Sequence, residues 1–377
     1  MGKRIFAAVK VLLIGDYSNV HATLGAALKR MGHEVCVASD GDGWKNYPRD
    51  VDLRRPSLGR LATLAYLLRL ERAFLRFRGF DVVQLIGPDF LPLKAERLYR
   101  YYRLLRRHNR RVFLGAFGMD KYWVKAGTDC ATFRYSDFNL GASARHSAEN
   151  DRFIADWLHG EKGRLNDFIA RDCDGIVSGL YEYDASYRPY FADKLKFIPF
   201  PIDTAKSRPQ TIATAAPSQV RFFIGVMSGR SAYKGTDVML RALRRMEARY
   251  GEAVGVTLVE SVPFDEYRRL LAGSHVLLDQ LYSYTPAMNA LEAMAQGLVV
   301  VGGGEPENYA ILGEEELRPI VNVAPTEESV FEALCNLVER REEIPRLQRE
   351  SREYVVRHHD ADRVARAYVD FWCSQGC

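Results

Sequence analysis

Val11-Leu-Leu-Ile14 is a block of four apolar residues ending at Gly15, and from about His21 to Met31 apolar positions recur at helical spacing until Gly32-His33 stops them. Val35-Cys-Val-Ala38 then resumes as another short apolar block. Uninterrupted apolar runs suit strands covered on both faces, and their alternation with helix-length segments predicts a parallel sheet with crossover helices. Val82-Val-Gln-Leu-Ile86, Val112-Phe-Leu-Gly115 and Gly175-Ile-Val-Ser178 continue the pattern, so the first half is expected to be doubly wound.

The alternation breaks at Lys196-Phe-Ile-Pro-Phe-Pro-Ile202, where Pro199 and Pro201 interrupt a last strand, and the residues up to Ser218 read as a linker. A second alternation follows: a strand over Val220 to Val226, a helix from about Thr236 to Tyr250, a strand at Val256 to Val259, a helix at Asp265 to Ala272, a strand at His275 to Leu278, a helix at Pro286 to Gln296 and a strand at Leu298 to Val301. The expected fold is α/β, with two Rossmann-like doubly wound domains facing a central cleft, at the strand ends where open α/β sheets bind ligands. Residues 1–200 form the first domain, 201–359 the second, and the amphipathic segment 360–377 completes the first. A length of 377 residues agrees with two cores better than with one.

Composition narrows the class. With 47% hydrophobic and 27% charged residues the chain reads as an ordinary soluble globular protein. Its 6 cysteines are dispersed, without a CxxC pair or histidines at zinc-finger spacing, which points to a reducing cytoplasm and to no structural zinc or disulfide framework. The start lacks the pattern of a signal peptide, and no apolar run reaches membrane-spanning length. The net charge of +5 is mild but uneven. Arg97, Arg100, Arg103, Arg106, Arg107, Arg110 and Arg111 cluster opposite Leu98, Tyr101, Tyr102 and Leu105, which makes 97–111 an amphipathic basic helix. Two readings stay open: a solvated arginine face, or peripheral contact with an anionic membrane at its inner face or with a phosphate-bearing acceptor. Arg69, Arg72, Arg76 and Arg78 form a second basic stretch, and no nucleic-acid recognition motif accompanies either.

Candidate chemistry concentrates in the second half. Gly229-Arg230-Ser-Ala-Tyr-Lys234-Gly235 lies between a strand and a helix, where backbone amides and two cations suit a diphosphate. In Tyr284-Thr285-Pro286, Thr285 is placed to cap a helix and Pro286 to begin it, leaving the amides of Ala287, Met288 and Asn289 free. Glu292 lies further along the same helix in a small, apolar stretch, where a carboxylate needs a partner such as a ribose diol or an ion pair. Gly302-Gly-Gly304, followed by Glu305, lets the main chain approach a ligand or make a tight turn.

Together the run from Gly229 to Gly235, Leu278-Asp279-Gln280, and Asn289-Ala-Leu-Glu-Ala-Met-Ala-Gln-Gly-Leu-Val-Val-Val301 resembles the donor half of the retaining GT-B glycosyltransferases of family four. That family carries Arg…Lys-Gly and then Glu-x7-Glu-Ala-Met-Ala-x-Gly-x-Pro-Val-Val. The likeness covers about residues 196 to 330, and the first half only in layout. It implies that Arg230 and Lys234 hold the diphosphate of a nucleoside-diphosphate sugar, that Glu292 takes the ribose hydroxyls, and that Gly302 to Gly304 adjoin the phosphates. The chain departs from the pattern at Tyr284, which stands where the family's first glutamate touches the transferred sugar. Asp279 is not at the spacing to replace it, and Leu298 replaces the family's proline.

By the same resemblance, the loop Gly15-Asp16-Tyr-Ser-Asn19 faces the acceptor and donor, and Asp120 of Gly118-Met-Asp120 is the expected catalytic carboxylate, with a helix cap as its alternative role. His21 is expected on a helix near the cleft, and His358/His359 lack companions for a metal. The implied reaction moves a sugar to an acceptor hydroxyl, on a glycan or lipid-linked acceptor in bacterial polysaccharide synthesis, with retention and without metal or cofactor. A non-catalytic binder of the same fold and a nucleotide-sugar epimerase are the rivals. A dinucleotide oxidoreductase is disfavoured, because Gly15-Asp-Tyr-Ser-Asn-Val-His lacks the GxGxxG fingerprint.

Overall fold

The computed structural model describes residues 8–57, 59–207, 212, 214–226, 231–260, 262 and 264–376. In chain order the first elements are β1 (Lys10–Ile14), α1 (Val20–Arg30), β2 (Glu34–Ser39), β3 (Val51–Asp52), α2 (Arg60–Arg76), β4 (Val82–Leu85), α3 (Ala95–His108), β5 (Arg111–Ala116) and α4 (Lys121–Thr128). A small hairpin of β6 (Asn139–Leu140) and β7 (Ser143–Ala144) leads to α5 (Ala148–Ile154), α6 (Glu161–Asp172), β8 (Gly175–Ser178), α7 (Tyr181–Phe191) and β9 (Leu195–Phe197). The second alternation comprises β10 (Val220–Val226), α8 (Ser231–Lys234), α9 (Thr236–Tyr250), β11 (Val254–Glu260), α10 (Phe264–Leu271), β12 (Val276–Leu278), α11 (Met288–Ala295), β13 (Val299–Gly302), α12 (Pro306–Leu312) and β14 (Val321–Asn322). The chain ends with α13 (Glu327–Glu339), α14 (Ile344–His359) and α15 (Ala361–Ser374).

These elements form two compact units. The first contains Met1–Ala126, Asp151–Pro201 and Ala361–Cys377, around a parallel seven-stranded sheet of order β3-β2-β1-β4-β5-β8-β9. Its interior strand β1 is wholly buried from Val11 to Ile14, as its unbroken apolar sequence requires. The second contains Gly127–Asn150 and Ile202–Asp360, around a parallel five-stranded sheet of order β11-β10-β12-β13-β14. Both orders reverse beside the first strand of the unit, so each unit is doubly wound and Rossmann-like.

Residues 127–150 were expected with the first domain but pack in the second unit. Rings account for part of this: Phe133 and Tyr135 lie against Tyr284 with centroids 5.7 and 4.9 Å away. Charge adds to this, because Arg134 pairs with both Glu305 and Glu307. These partners stand about 150 to 173 residues apart in sequence, so no local pattern could have announced them.

Helix α3 buries the face expected of it, with Leu98, Tyr101, Tyr102 and Leu105 in the core. Its arginines are divided. Arg100 pairs with Glu71 and Arg106 with Asp172 and Asp174, whereas Arg97, Arg103 and Arg107 are exposed.

Candidate functional site

In the second unit, strands β10, β12 and β13 run side by side and end at α8, at the loop 279–287 and at the glycine run. Arg230 and Gly229 lie outside the described residues. Lys234, half-buried at the end of α8, offers its carbonyl to the Leu281 amide at 2.9 Å. Asp279 follows β12 and accepts from Asn289 Nδ2 at 2.9 Å, and Asn289 Oδ1 in turn accepts from the Tyr267 hydroxyl at 2.9 Å. Burial pushes the Asp279 carboxyl above its ordinary range, and the charge of Lys234 opposes the shift. A cation, a carboxyl and the first turn of α11 therefore meet at one end of this sheet.

Helix α11 begins later than expected. Ser283 Oγ donates to Thr285 O at 2.6 Å and accepts from its amide at 3.3 Å, which closes a tight turn through Thr285. Ala287, in an extended conformation, then becomes the N-cap, and Thr285 and Pro286 stay outside the helix. No side chain caps this end. The first-turn amides of Met288 and Asn289 have no intrahelical acceptor, as at any helix start. An uncapped start with free amides and a positive dipole end suits an anion.

Glu292, half-buried one turn further on, accepts from Ser207 Oγ at 3.2 Å through Oε2. Burial raises its pKa, and the Ser207 hydrogen bond and the more distant charge of Arg268 lower it again. The Glu292 carboxylate makes no ion pair among the described residues. The expected ion-pair alternative is replaced by a hydroxyl that leaves one oxygen available.

Tyr284 is 2% exposed. Its hydroxyl accepts the Arg134 amide at 2.6 Å, its ring lies under the Arg134 guanidinium at 4.7 Å, and its carbonyl accepts the Glu305 amide at 3.0 Å. The residue in the place of the family's sugar-touching glutamate is therefore a packing residue of the second unit. Glu305 occupies the N-cap position of α12 without a side-chain capping bond, and its carboxylate receives both the Tyr135 hydroxyl and Arg134. Tyr233 of α8 donates to Asp137 at 2.6 Å, and Arg145 stacks on the Tyr282 ring at 3.4 Å. Segment 133–145 thus engages three of the loops that follow strands in this unit, a role that sequence reasoning missed.

The glycine run proves to serve packing. A side chain on Gly303 would strike the Ser283 carbonyl, and one on Gly304 would meet Ile320, so the space next to the main chain is filled by the protein.

In the first unit, Gly15 ends β1 at φ +79°, where a Cβ would also collide with Ile86. Asp16, 2% exposed, accepts the amides of His21 and Ala22 at 3.0 and 3.1 Å and so secures the start of α1. Burial pushes its pKa up to about 7 against those hydrogen bonds. His21 is fully buried, with Nδ1 2.7 Å from the Gly15 carbonyl, and burial lowers its pKa to about 4, so it is the neutral Nδ1–H tautomer. Asp120 caps a helix, one of the two roles expected for it. Its Oδ1 accepts the Trp123 amide at 2.9 Å at the head of α4, its Oδ2 accepts the Tyr187 hydroxyl at 2.8 Å, and burial raises it to about 7. His358 binds Glu314 at 2.6 Å. Among the described residues no group of His, Cys, Asp and Glu could hold a metal ion, and no helix is long and apolar enough to cross a membrane.

Two Rossmann-like units, each with its first strand at the topological switch, define the GT-B fold. No protein-family model and no curated protein matches the sequence. Solved structures do share the fold. Sucrose-phosphate synthase from Thermosynechococcus elongatus superposes with a TM-score of 0.62 at 14% identity, over 97% of this chain and 98% of that one. Anabaena HepE in complex with UDP and glucose gives 0.59 at 12%, over 97% and 100%. A putative UDP-N-acetylglucosamine 2-epimerase from Listeria monocytogenes gives 0.54 at 10%, over 97% and 95%.

Proposed function

We propose that this protein is a glycosyltransferase that moves a sugar from a nucleoside diphosphate to an acceptor hydroxyl, with the donor bound by the second unit. The observation that carries the proposal is the uncapped start of α11 beside Lys234, with Glu292 holding a free carboxylate oxygen one turn along. In this reading the amides of Met288 and Asn289, behind Ala287, and the cations Lys234 and Arg230 take the diphosphate. Glu292 Oε1 takes a ribose hydroxyl while Ser207 holds Oε2. Leaving-group charge is then met by fixed dipoles and side-chain cations, so turnover proceeds without a divalent ion. Retention of configuration follows from the family resemblance, with attack from the face that the diphosphate leaves.

The fold alone does not select transfer, since an epimerase shares it. A specific observation supports a second reading, a non-catalytic binder: Tyr284 is buried and hydrogen-bonded where a sugar contact is needed. One experiment separates them. Calorimetry with UDP, GDP and ADP, with and without EDTA, should give saturable, EDTA-insensitive binding of one nucleotide, abolished in Arg230→Ala. The matching radiolabelled sugar donor should then lose its sugar to an acceptor, or slowly to water. Binding without any turnover selects the non-catalytic reading, and release of an epimerised sugar selects the epimerase.

A further inference from the structure

Helix α2 has two apolar faces, and the protein covers only one. Tyr66, Leu70, Ala73 and Phe74 are buried against the first sheet. Leu61, Leu64, Leu68 and Leu75 are 84%, 56%, 53% and 62% exposed. At about 100° per residue these four leucines fall within an arc of about 60°, directly opposite the buried face. A helix apolar on opposite sides is ordinarily enclosed on both, so the outer stripe is a surface in want of an occupant.

The charge around the stripe identifies the occupant. Arg60 flanks it on one side and Arg72 and Arg76 on the other, all three exposed, with Arg78 just beyond the helix. None of these four arginines meets a carboxylate among the described residues. The helix has a single acid, Glu71, and Arg100 of α3 neutralises it. Exposed Arg97, Arg103 and Arg107 on α3 extend the positive surface. The basic helix α3, for which a solvated arginine face and contact with a membrane or a phosphate-bearing acceptor were both open, thus contributes charge, whereas the apolar side chains stand on α2.

We infer that α2 is a membrane-surface anchor: it lies in the interface of an anionic bilayer, its leucine stripe among the upper acyl chains and its arginines at the phosphate level. Long arginine side chains suit this position, because they bury their stems and keep the guanidinium at the headgroups. A second copy of the chain does not fit, since an isologous contact through this face would oppose arginine to arginine around the leucines. The inference is independent of the transferase reading.

The test is co-sedimentation of the full chain with vesicles of phosphatidylcholine alone and of equal parts phosphatidylcholine and phosphatidylglycerol. Binding is expected only to the mixed vesicles and should weaken with salt. Leu64→Glu/Leu68→Glu should reduce it at least about tenfold, the scale of losing burial of two leucines. Arg72→Glu/Arg76→Glu should reduce it about fivefold or more per arginine. Both pairs are exposed, so the melting temperature should stay unchanged and a folding failure would be visible. Leu68→Trp should show a blue-shifted emission with mixed vesicles and be quenched by brominated acyl chains. Failure to bind, equal binding to both compositions, or indifference to the leucine changes would overturn the inference. So would dimerisation in light scattering that the leucine changes abolish.

Discussion

The two sheets end in different ways. Where β1 and β5 end in the first unit, the acids are used by the protein itself: Asp16 secures α1, and Asp120 secures α4 and the Tyr187 hydroxyl. Where β10, β12 and β13 end in the second unit, groups are left over. Helix α11 starts without a side-chain cap, Lys234 makes no ion pair among the described residues, and Glu292 spends one oxygen on a hydroxyl. Similar topology thus yields a self-satisfied end and a receptive one, and the difference lies in whether short polar side chains reach the first-turn amides.

The largest effect expected from this contrast belongs to Asp120. Asp120→Ala removes a cap and leaves the Trp123 amide and the Tyr187 hydroxyl short of an acceptor, both in a buried setting. A loss of about 2–4 kcal/mol in urea unfolding is expected, with nucleotide affinity of the folded fraction intact. Asp120→Asn, which keeps an acceptor for Trp123, should recover most of the stability. Unchanged stability with abolished turnover would instead return Asp120 to the chemistry.

Lys234→Ala reverses the pattern. Its removal should leave the melting temperature almost unchanged and weaken nucleoside-diphosphate binding by about 2 kcal/mol, close to thirtyfold. A nucleoside without phosphates should bind both forms equally, and calorimetry with the two ligands reads the difference. A uniform loss for both would place Lys234 in the architecture of the loop.

How much of this was legible beforehand follows from the range of each interaction. The alternation of apolar runs and helical spacing revealed both sheets, because burial on two faces leaves a local mark at every strand, and the helix Thr236–Tyr250 matches its expected bounds. The start of α11 was misjudged by local reasoning: Thr285-Pro286 has the composition of a helix start, but the Ser283 hydroxyl diverts it into a turn. The glycine run was legible as a close approach but not as an approach of protein to protein, since its neighbour Ser283 is distant in sequence. Least legible was segment 127–150, whose Arg134 and Tyr135 find Glu305 and Glu307 across more than half the second alternation. The outer leucines of α2 were visible as letters, but only the fold shows which of its two apolar faces is covered.

A smaller effect sharpens the first unit's side of the comparison. The Asp16 carboxyl, buried, stands at about 7 in the folded protein against an ordinary 3.8. The native state therefore binds the extra proton between about pH 4 and 7, and this contribution to stability is full at the acid end and is lost as pH rises through 7. Between pH 6 and 8 the loss amounts to about 1.4 kcal/mol for one such group. Asp16→Asn should flatten the wild-type slope by that amount in urea titrations across this range. An unaltered slope would mean that Asp16 stays ionised in its pocket, held by the amides of α1.

The smallest and most discriminating effect concerns Glu292. If Oε1 accepts a ribose hydroxyl, Glu292→Gln should weaken the ribonucleoside diphosphate by about 1 kcal/mol, the net value of one hydrogen bond, because the amide keeps the shape and the Ser207 contact. The 2′- and 3′-deoxy analogues should already be weaker against the wild type, and the substitution should cost one of them little more. That non-additivity is the signature of a direct contact. Full additivity with both analogues would instead make Glu292 a partner of Ser207 alone, and the free oxygen would then have no sugar to hold.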